Sequence, residues 1–328
     1  MNIGLCGFGA IGKQRLQALE RLKREGNPID EIYVYDPCIK KPLNSEYTLW
    51  CKSLEKMEDK NIDLAIIATP HDAAVALAEQ ILGWGCKVLI EKPFGRSYEE
   101  AEYLYNLSSV NQLFIGFNYR FFDGIEQLLE DTNNGMFGKL ININMILGHG
   151  GSPGDEKTWK LNPEMGGGGV FADLGVHLLD LLQQVSITIY PLSGKSWRGL
   201  WNTGIDEEVH LLLTNKDDTI INIQTSIVRW LNTFRIEING TEGYGVVEGR
   251  GKNYRNQTYI RGKKWGWLES GKSQKESEEL VLTTDCSNSF YKELDSILFG
   301  TKHYAFPCSD MEALSVMALY EKCKEVIH

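Results

Sequence analysis

Residues 3–12 read Ile3-Gly4-Leu5-Cys6-Gly7-Phe8-Gly9-Ala10-Ile11-Gly12, an apolar run that breaks into glycines spaced G-x-G-x-x-G. Lys13 to Arg24 follows with helical spacing through Leu16, Leu19 and Leu22, and Glu31 to Asp36 carries the strand-like run Ile32-Tyr33-Val34-Tyr35. The order is strand, helix, strand, with the glycines where the first strand turns into the helix. Gly7 permits the tight turn, Gly9 lets a pyrophosphate approach the backbone, and Gly12 lets helix and strand pack closely. Phe8, Ala10 and Ile11 share that candidate cofactor contact, because a helix start offers unpaired N–H groups and a positive dipole end. Asp36 closes the second strand. Its carboxylate can accept from the ribose hydroxyls of a dinucleotide and repels a 2′-phosphate, which favours NAD over NADP. Lys40 and Lys41 are nearby candidates for a phosphate contact, although solvated loop lysines are commoner.

The same alternation continues outward. Asp63 to Ala68 is a second buried strand ending in Thr69-Pro70-His71, and Ala73 to Leu82 is a helix closed by Gly83 and Gly85. Val88-Leu89-Ile90-Glu91-Lys92-Pro93 is an apolar strand that stops in an acid, a base and a proline with no N–H to donate. Tyr98 to Leu107 follows a Ser97 cap with Glu100 at the capping-box position, and Leu113 to Phe117 is another strand before Asn118-Tyr119-Arg120. Strands alternating with helices predict a doubly wound parallel sheet over residues 1–120. Ligands of such sheets bind beyond the carboxyl ends of the strands. Ala68, Thr69, Pro70, His71, Glu91 and Lys92 are therefore candidate cofactor contacts, and Lys92, Asn118 and Arg120 candidate substrate contacts. A partly buried lysine there is suited to proton transfer near neutral pH.

After Arg120 the pattern changes. Gly124 to Thr132 reads as a helix and Leu140 to Leu147 as an alternating strand. Strands then follow one another at Glu208–Thr214, Thr219–Val228, Thr233–Asn239, Gly245–Glu248, Gln257–Arg261 and Leu280–Thr283, before helices near Ser289–Phe299 and Ser309–Ile327. Successive strands without helices predict a large, mostly antiparallel open sheet in an α+β domain, 121–328, whose C-terminal helix can pack back on the first domain. Within it, Gly166 to Gly169 opens a helix carrying Asp173, His177, Asp180 and Gln184 on one stripe. A solvated helix face is the plainer reading of that stripe. Against it stand the entropic cost of four glycines and the suitability of histidine for proton transfer. Trp159, flanked by glycines, is as readily a platform for a sugar ring as a core residue. Arg250–Lys275 holds eight basic residues, a solvated hairpin in the first instance and a nucleotide-sugar phosphate contact in the second.

With 328 residues, 42% of them hydrophobic and 24% charged, the chain fits two ordinary globular domains. A net charge of -10 argues against nucleic acid or an anionic membrane as the main partner. The start lacks the basic and small-residue signals of a leader, and no uninterrupted apolar stretch reaches the length of a membrane span. The seven cysteines are scattered without a Cys-x-x-Cys pair, which fits a reduced, cytoplasmic setting without structural zinc. His149, His210 and His303 lack metal-ligand spacing, so no metal is expected. The sequons at Asn106, Asn239 and Asn256 carry no weight without a secretory route.

Together these segments resemble the Gfo/Idh/MocA oxidoreductases of the glucose-fructose oxidoreductase and inositol dehydrogenase types, over nearly the whole chain. Gly7–Gly12, Thr69-Pro70, Glu91-Lys92-Pro93 and Asp173-Leu-Gly-Val-His177 are similar to that family's motifs in order and spacing. The resemblance implies a Rossmann domain, catalytic roles for Lys92 and His177 with help from Asp173, and a frequently cis bond before Pro93. It also implies a homodimer or homotetramer built through the second domain's sheet. The stretch from His149 through Trp159-Lys160 to Gly169 is similar to members acting on sugars or nucleotide sugars, including those of surface-polysaccharide pathways. Many members follow Thr-Pro with Asn-x-x-His; here His71 and Ala74 stand at those positions. The implied activity is hydride transfer between NAD and a secondary hydroxyl of a sugar. Two alternatives stay open: a dinucleotide-binding regulator or scaffold, and an NADPH-dependent imine or tetrapyrrole reductase.

Overall fold

The computed structural model describes residues 1–39, 46–185, 188–271 and 273–328. Lys40 and Lys41 lie outside the described residues. In chain order the strands are β1 (Asn2–Cys6), β2 (Glu31–Tyr35), β3 (Thr48–Trp50), β4 (Leu64–Ile67), β5 (Lys87–Glu91), β6 (Leu113–Gly116), β7 (Leu140–Gly148), β8 (Ile189–Trp197), β9 (Glu208–Asn215), β10 (Ile220–Ser226), β11 (Thr233–Gly240), β12 (Gly243–Glu248), β13 (Gln257–Lys263), β14 (Glu279–Thr284) and β15 (Cys308–Ser309). The α-helices are α1 (Ala10–Arg24), α2 (Leu54–Glu58), α3 (His71–Leu82), α4 (Tyr98–Leu107), α5 (Asp123–Asn133), α6 (Pro163–Gly166), α7 (Val176–Gln183), α8 (Gly266–Ser270), α9 (Gln274–Ser277), α10 (Ser289–Phe299) and α11 (Asp310–Glu325).

The chain divides into two compact units. One holds Met1–Asn118, Glu164–Gly167 and Phe290–Met317; the other holds Tyr119–Pro163, Gly168–Ser289 and Ala318–His328. The boundary expected at residue 120 marks only the first passage of the chain from one unit to the other.

The first unit is a Rossmann domain. Its sheet runs β15-β6-β5-β4-β1-β2-β3, parallel throughout except for the short edge strand β15. β1 lies between β2 and β4. The strand order therefore reverses at β1/β4, and their carboxyl ends flank the crevice where such sheets bind ligands. All four residues of β4 are buried, as expected for a strand covered on both faces. Leu294 and Ile297 of α10 join Ile3, Leu5 and Leu89 in one core. At the start of α4, the Ser97 hydroxyl accepts from the Glu100 N–H as the capping signal predicts. The Glu100 carboxylate reaches one residue further back, to the Arg96 N–H at 2.7 Å.

The second unit is built on an eight-stranded sheet, β14-β13-β12-β11-β7-β10-β9-β8. Its neighbours pair antiparallel except β7 with β10, which run parallel over Asn142–Gly148 and Ile220–Ser226. Side chains alternate with the two-residue period of a strand. Ile143, Met145, Ile236 and Ile238 face Ile125 and Leu128 of α5 and Leu181 and Leu182 of α7. The other face carries an asparagine ladder among exposed apolar residues such as Leu212 and Ile220: Asn222 Nδ2 donates to Asn144 Oδ1 at 2.9 Å, and Asn144 Nδ2 to Asn142 Oδ1 at 3.0 Å. Among the described residues one helical stretch, Pro163–Gln183, is long and apolar enough to cross a membrane, which the reading of the sequence missed. Its most apolar window is 78% buried inside the protein, as in a core helix.

Candidate active site

In the first unit, β1 runs into the glycine turn. Gly7 has φ +92°, and a Cβ there would stand 2.5 Å from the Ala68 carbonyl oxygen. Only glycine lets the turn after β1 lie against the end of β4. A Cβ on Gly12 would come 2.1 Å from the Gly7 carbonyl oxygen, so the third glycine closes the turn on its own backbone. Gly9 and Ala10 are exposed, with open space where a Gly9 side chain would be. No side chain caps α1. The Phe8 N–H donates to Asp36 Oδ2 at 2.7 Å, and the Cys38 N–H to Oδ1 at 2.8 Å. Asp36 is thus fastened to the glycine turn and holds its charge at the tip of β2.

At the end of β4, the Thr69 hydroxyl is buried without a hydrogen-bond partner among the described residues. These features fit a dinucleotide. The uncapped helix start suits its phosphates, the turn leaves backbone open to them, and Thr69 holds a hydrogen bond in reserve. His71 is buried, with Nδ1 3.2 Å from the Gly166 carbonyl oxygen, and Ala74 lies buried beside it on α3. His71 therefore secures the start of the glycine run. At the end of β5, Glu91 Oε1 accepts from Arg15 Nε at 2.7 Å. The Glu91 carboxylate is held by α1, which leaves the half-buried Lys92 as the chemical group of that motif. The Lys92–Pro93 bond is cis.

The second unit carries the other candidates. A π-helical turn, Phe171–Gly175, precedes α7 and contains Asp173. Gly175 makes this turn possible, since a Cβ would stand 2.1 Å from the Phe171 ring. Both Asp173 oxygens lie 3.3 Å from Lys160 Nζ. His177 is 4% exposed and stacks on Tyr119, with ring centroids 3.8 Å apart and planes within 4°. The Tyr119 phenol is pushed up to about 12 by burial. Arg250 lies with its guanidinium carbon 5.4 Å from the Tyr119 centroid and 3.9 Å from that of Tyr254. His149 accepts the Gly151 N–H on Nδ1 at 3.0 Å. Burial lowers its pKa; Asp173 opposes that shift, while Arg250 and Lys160 add to it.

Two expectations change here. Arg120 does not present its guanidinium to a substrate: it is 1% exposed and grips Asp180, Nη2 to Oδ1 at 2.6 Å. For the same reason the stripe through His177 and Asp180 is not a solvated face; Asp180 is fully buried. Asn118 is buried as well. Trp159 is half-buried, 6.0 Å from Lys160 Nζ.

Residues 1–119 match the pattern of the oxidoreductase family with an NAD-binding Rossmann fold, and residues 125–245 match the GFO/IDH/MocA C-terminal domain. The chain belongs to the Gfo/Idh/MocA family of oxidoreductases. It is 27% identical to the rhizopine catabolism protein MocA of Rhizobium meliloti, over 56% of each chain. It is 30% identical to glucose-6-phosphate 3-dehydrogenase of Bacillus subtilis, over 55% of this chain and 52% of that one. The matched stretch thus spans about half the length of these curated relatives. The crystal structure of UDP-N-acetylglucosamine 3-dehydrogenase GnnA from Acidithiobacillus ferrooxidans superposes with a TM-score of 0.77 at 18% identity, covering 100% of this chain and 97% of that one.

The family match over residues 1–119 is to an NAD-binding Rossmann fold, which supports binding of a nicotinamide dinucleotide. The chain's family motifs pointed to Lys92, Asp173 and His177, but not to Tyr119 or Arg250, which share the second unit with the last two. Tyr119 stood in plain sight beside Asn118. Arg250 lay in a basic stretch whose commoner meaning is a solvated hairpin, and only its position over two tyrosine rings separates it from the others.

Proposed function

We propose that this chain is an NAD-dependent sugar dehydrogenase acting on a secondary ring hydroxyl. The observation that carries the reading is the buried His177 imidazole, stacked on Tyr119 beside an Asp173 that is itself ion-paired. A family oxidoreductase with a buried histidine and a neighbouring carboxylate is equipped to move a proton and to orient a polyol. Two of its relatives are named as 3-dehydrogenases of a hexose derivative, which makes a ring carbinol the reading of choice. When bound, the nicotinamide supplies the carbon that gains or loses a hydride.

Lys92, as the neutral amine, takes the hydroxyl proton, and the ammonium so formed favours the negative charge developing on that oxygen. His177 is the second proton carrier, and Asp173 orients it or the substrate. Asp36, held at the tip of β2, disfavours a 2′-phosphate and so favours NAD over NADP. Lys92→Ala and His177→Ala are each expected to lower kcat by about 10²–10⁴-fold on a responsive sugar while NADH binding and the thermal transition persist. Steady-state kinetics with NAD and NADP against a panel of hexoses and their phosphates measures both. Undiminished turnover in both variants would remove the proton-transfer assignment.

A further inference from the structure

Arg250 is placed over two tyrosine rings of the second unit. Among the described residues no carboxylate lies within ion-pair distance of its guanidinium, whose partners are the faces of Tyr119 and Tyr254. Its Nε is buried and makes no hydrogen bond. A partly buried cation without a counterion is unfavourable unless something anionic completes it. Lys160 and Arg250 both act on His149, as do the carboxylates of Asp173 and Asp155. Asp173 acts on Arg250 from beyond ion-pair distance, and its own ion pair is with Lys160. On a chain of net charge -10, a half-buried cation with no carboxylate in contact among the described residues is selective.

The backbone holds Arg250 in place. Gly249, Gly251, Lys252 and Arg255 all have positive φ. A Cβ on Gly249 would stand 2.3 Å from the Asn256 carbonyl oxygen, and one on Gly251 2.0 Å from that of Asp285. The fully buried Gln257 donates to the Gly249 carbonyl at 3.1 Å and accepts the Gly124 N–H at 2.8 Å. Local strain maintained by surrounding contacts is a mark of a pre-organised binding loop. Tyr119 carries His177 and Arg250 on one ring, which places the cation beside the proposed proton carrier.

We infer that Arg250 binds an oxyanion on the substrate, so that the sugar is one bearing a phosphate or a carboxylate. The inference rests on the sugar-dehydrogenase reading and names its substrate class. A guanidinium makes paired, charge-assisted bonds to either group, and such a bond supports roughly 10–10²-fold in selectivity.

The test compares glucose 6-phosphate, glucuronate, UDP-glucose and glucose with wild type, Arg250→Gln and Arg250→Lys. The ratio of kcat/KM for the preferred anionic sugar to that for glucose is expected to fall about 10–10²-fold in Arg250→Gln and to be partly restored in Arg250→Lys. The anionic arm that leads in wild type identifies the source of the charge. A ratio unchanged by Arg250→Gln overturns the inference. Equilibrium binding of the same sugars, followed by tryptophan fluorescence, covers the case in which none is turned over. Anion binding weakened about ten-fold by Arg250→Gln then supports the anion site while the dehydrogenase reading fails. Binding of the anionic sugars that Arg250→Gln leaves unaltered overturns the site itself.

Discussion

At the scale of single residues, Tyr119 connects the most. It is 5% exposed, stacks on His177 and lies under Arg250. Burial pushes its phenol up to about 12, against about 10 for an unfolded tyrosine. The folded protein therefore binds this proton more tightly than the unfolded chain. The associated stability is complete below pH ~10 and is lost as pH rises toward 12, to a total of about 2–3 kcal/mol. Urea unfolding midpoints of wild type should fall more steeply across that window than those of Tyr119→Phe. Parallel slopes would mean that Tyr119 is solvated. Lys92 was a candidate from sequence because an apolar run ends there in Glu-Lys-Pro, where ligands of such sheets bind. Arg250 was not, because what distinguishes it is its place over two tyrosine rings, and that emerges only once distant segments have folded together.

At the scale of elements, α1 is fixed by a buried ion cluster. Arg15 is fully buried; it pairs with Glu91 of β5 and Glu293 of α10 and lies 4.6 Å from the Phe290 ring. Gly116 of β6 makes room, since a Cβ there would stand 2.8 Å from Arg15 Nη2 and 2.9 Å from Glu91 Oε2. Arg15→Met would leave two carboxylates without their cation and is expected to cost about 3–5 kcal/mol. Thermal and urea denaturation measure this, and a loss under 1 kcal/mol would show that water replaces the guanidinium. The regular elements were largely visible in the sequence, because a period of two survives in β10, one of 3.6 in α1, and β4 is an unbroken apolar run. β8 was missed: its central Pro191-Leu-Ser-Gly-Lys195 has weak strand propensity, and its register slips between Pro191 and Ser193. The π-helical turn was missed because one additional residue per turn leaves the Asp173/His177 spacing looking α-helical. Asp180 was misread because its partner Arg120 is remote in sequence, and no local pattern announces such a pair.

At the scale of the whole molecule, the chain leaves the first unit at Asn118, returns briefly at Glu164–Gly167 and comes back for a long stretch near the end. Phe290–Met317 supplies Leu294 and Ile297 to the core, Glu293 to Arg15, and β15 to the sheet edge. A chain ending at Ser289 is therefore expected to lose the cooperative transition and the NADH binding of the first unit, read by calorimetry and fluorescence titration. A chain so shortened that still binds NADH with undiminished affinity would mean that α10 only decorates a finished domain. The consequence reaches the ribosome. Domains commonly complete themselves as they emerge, amino end first, at ~5–20 residues per second. Here the glycine turn and the lysine strand are made early, yet their core waits for α10 until all of Tyr119–Ser289 has been translated. During that interval an apolar sheet stands incomplete, and it is there that a chaperone holding nascent chains would find its binding site.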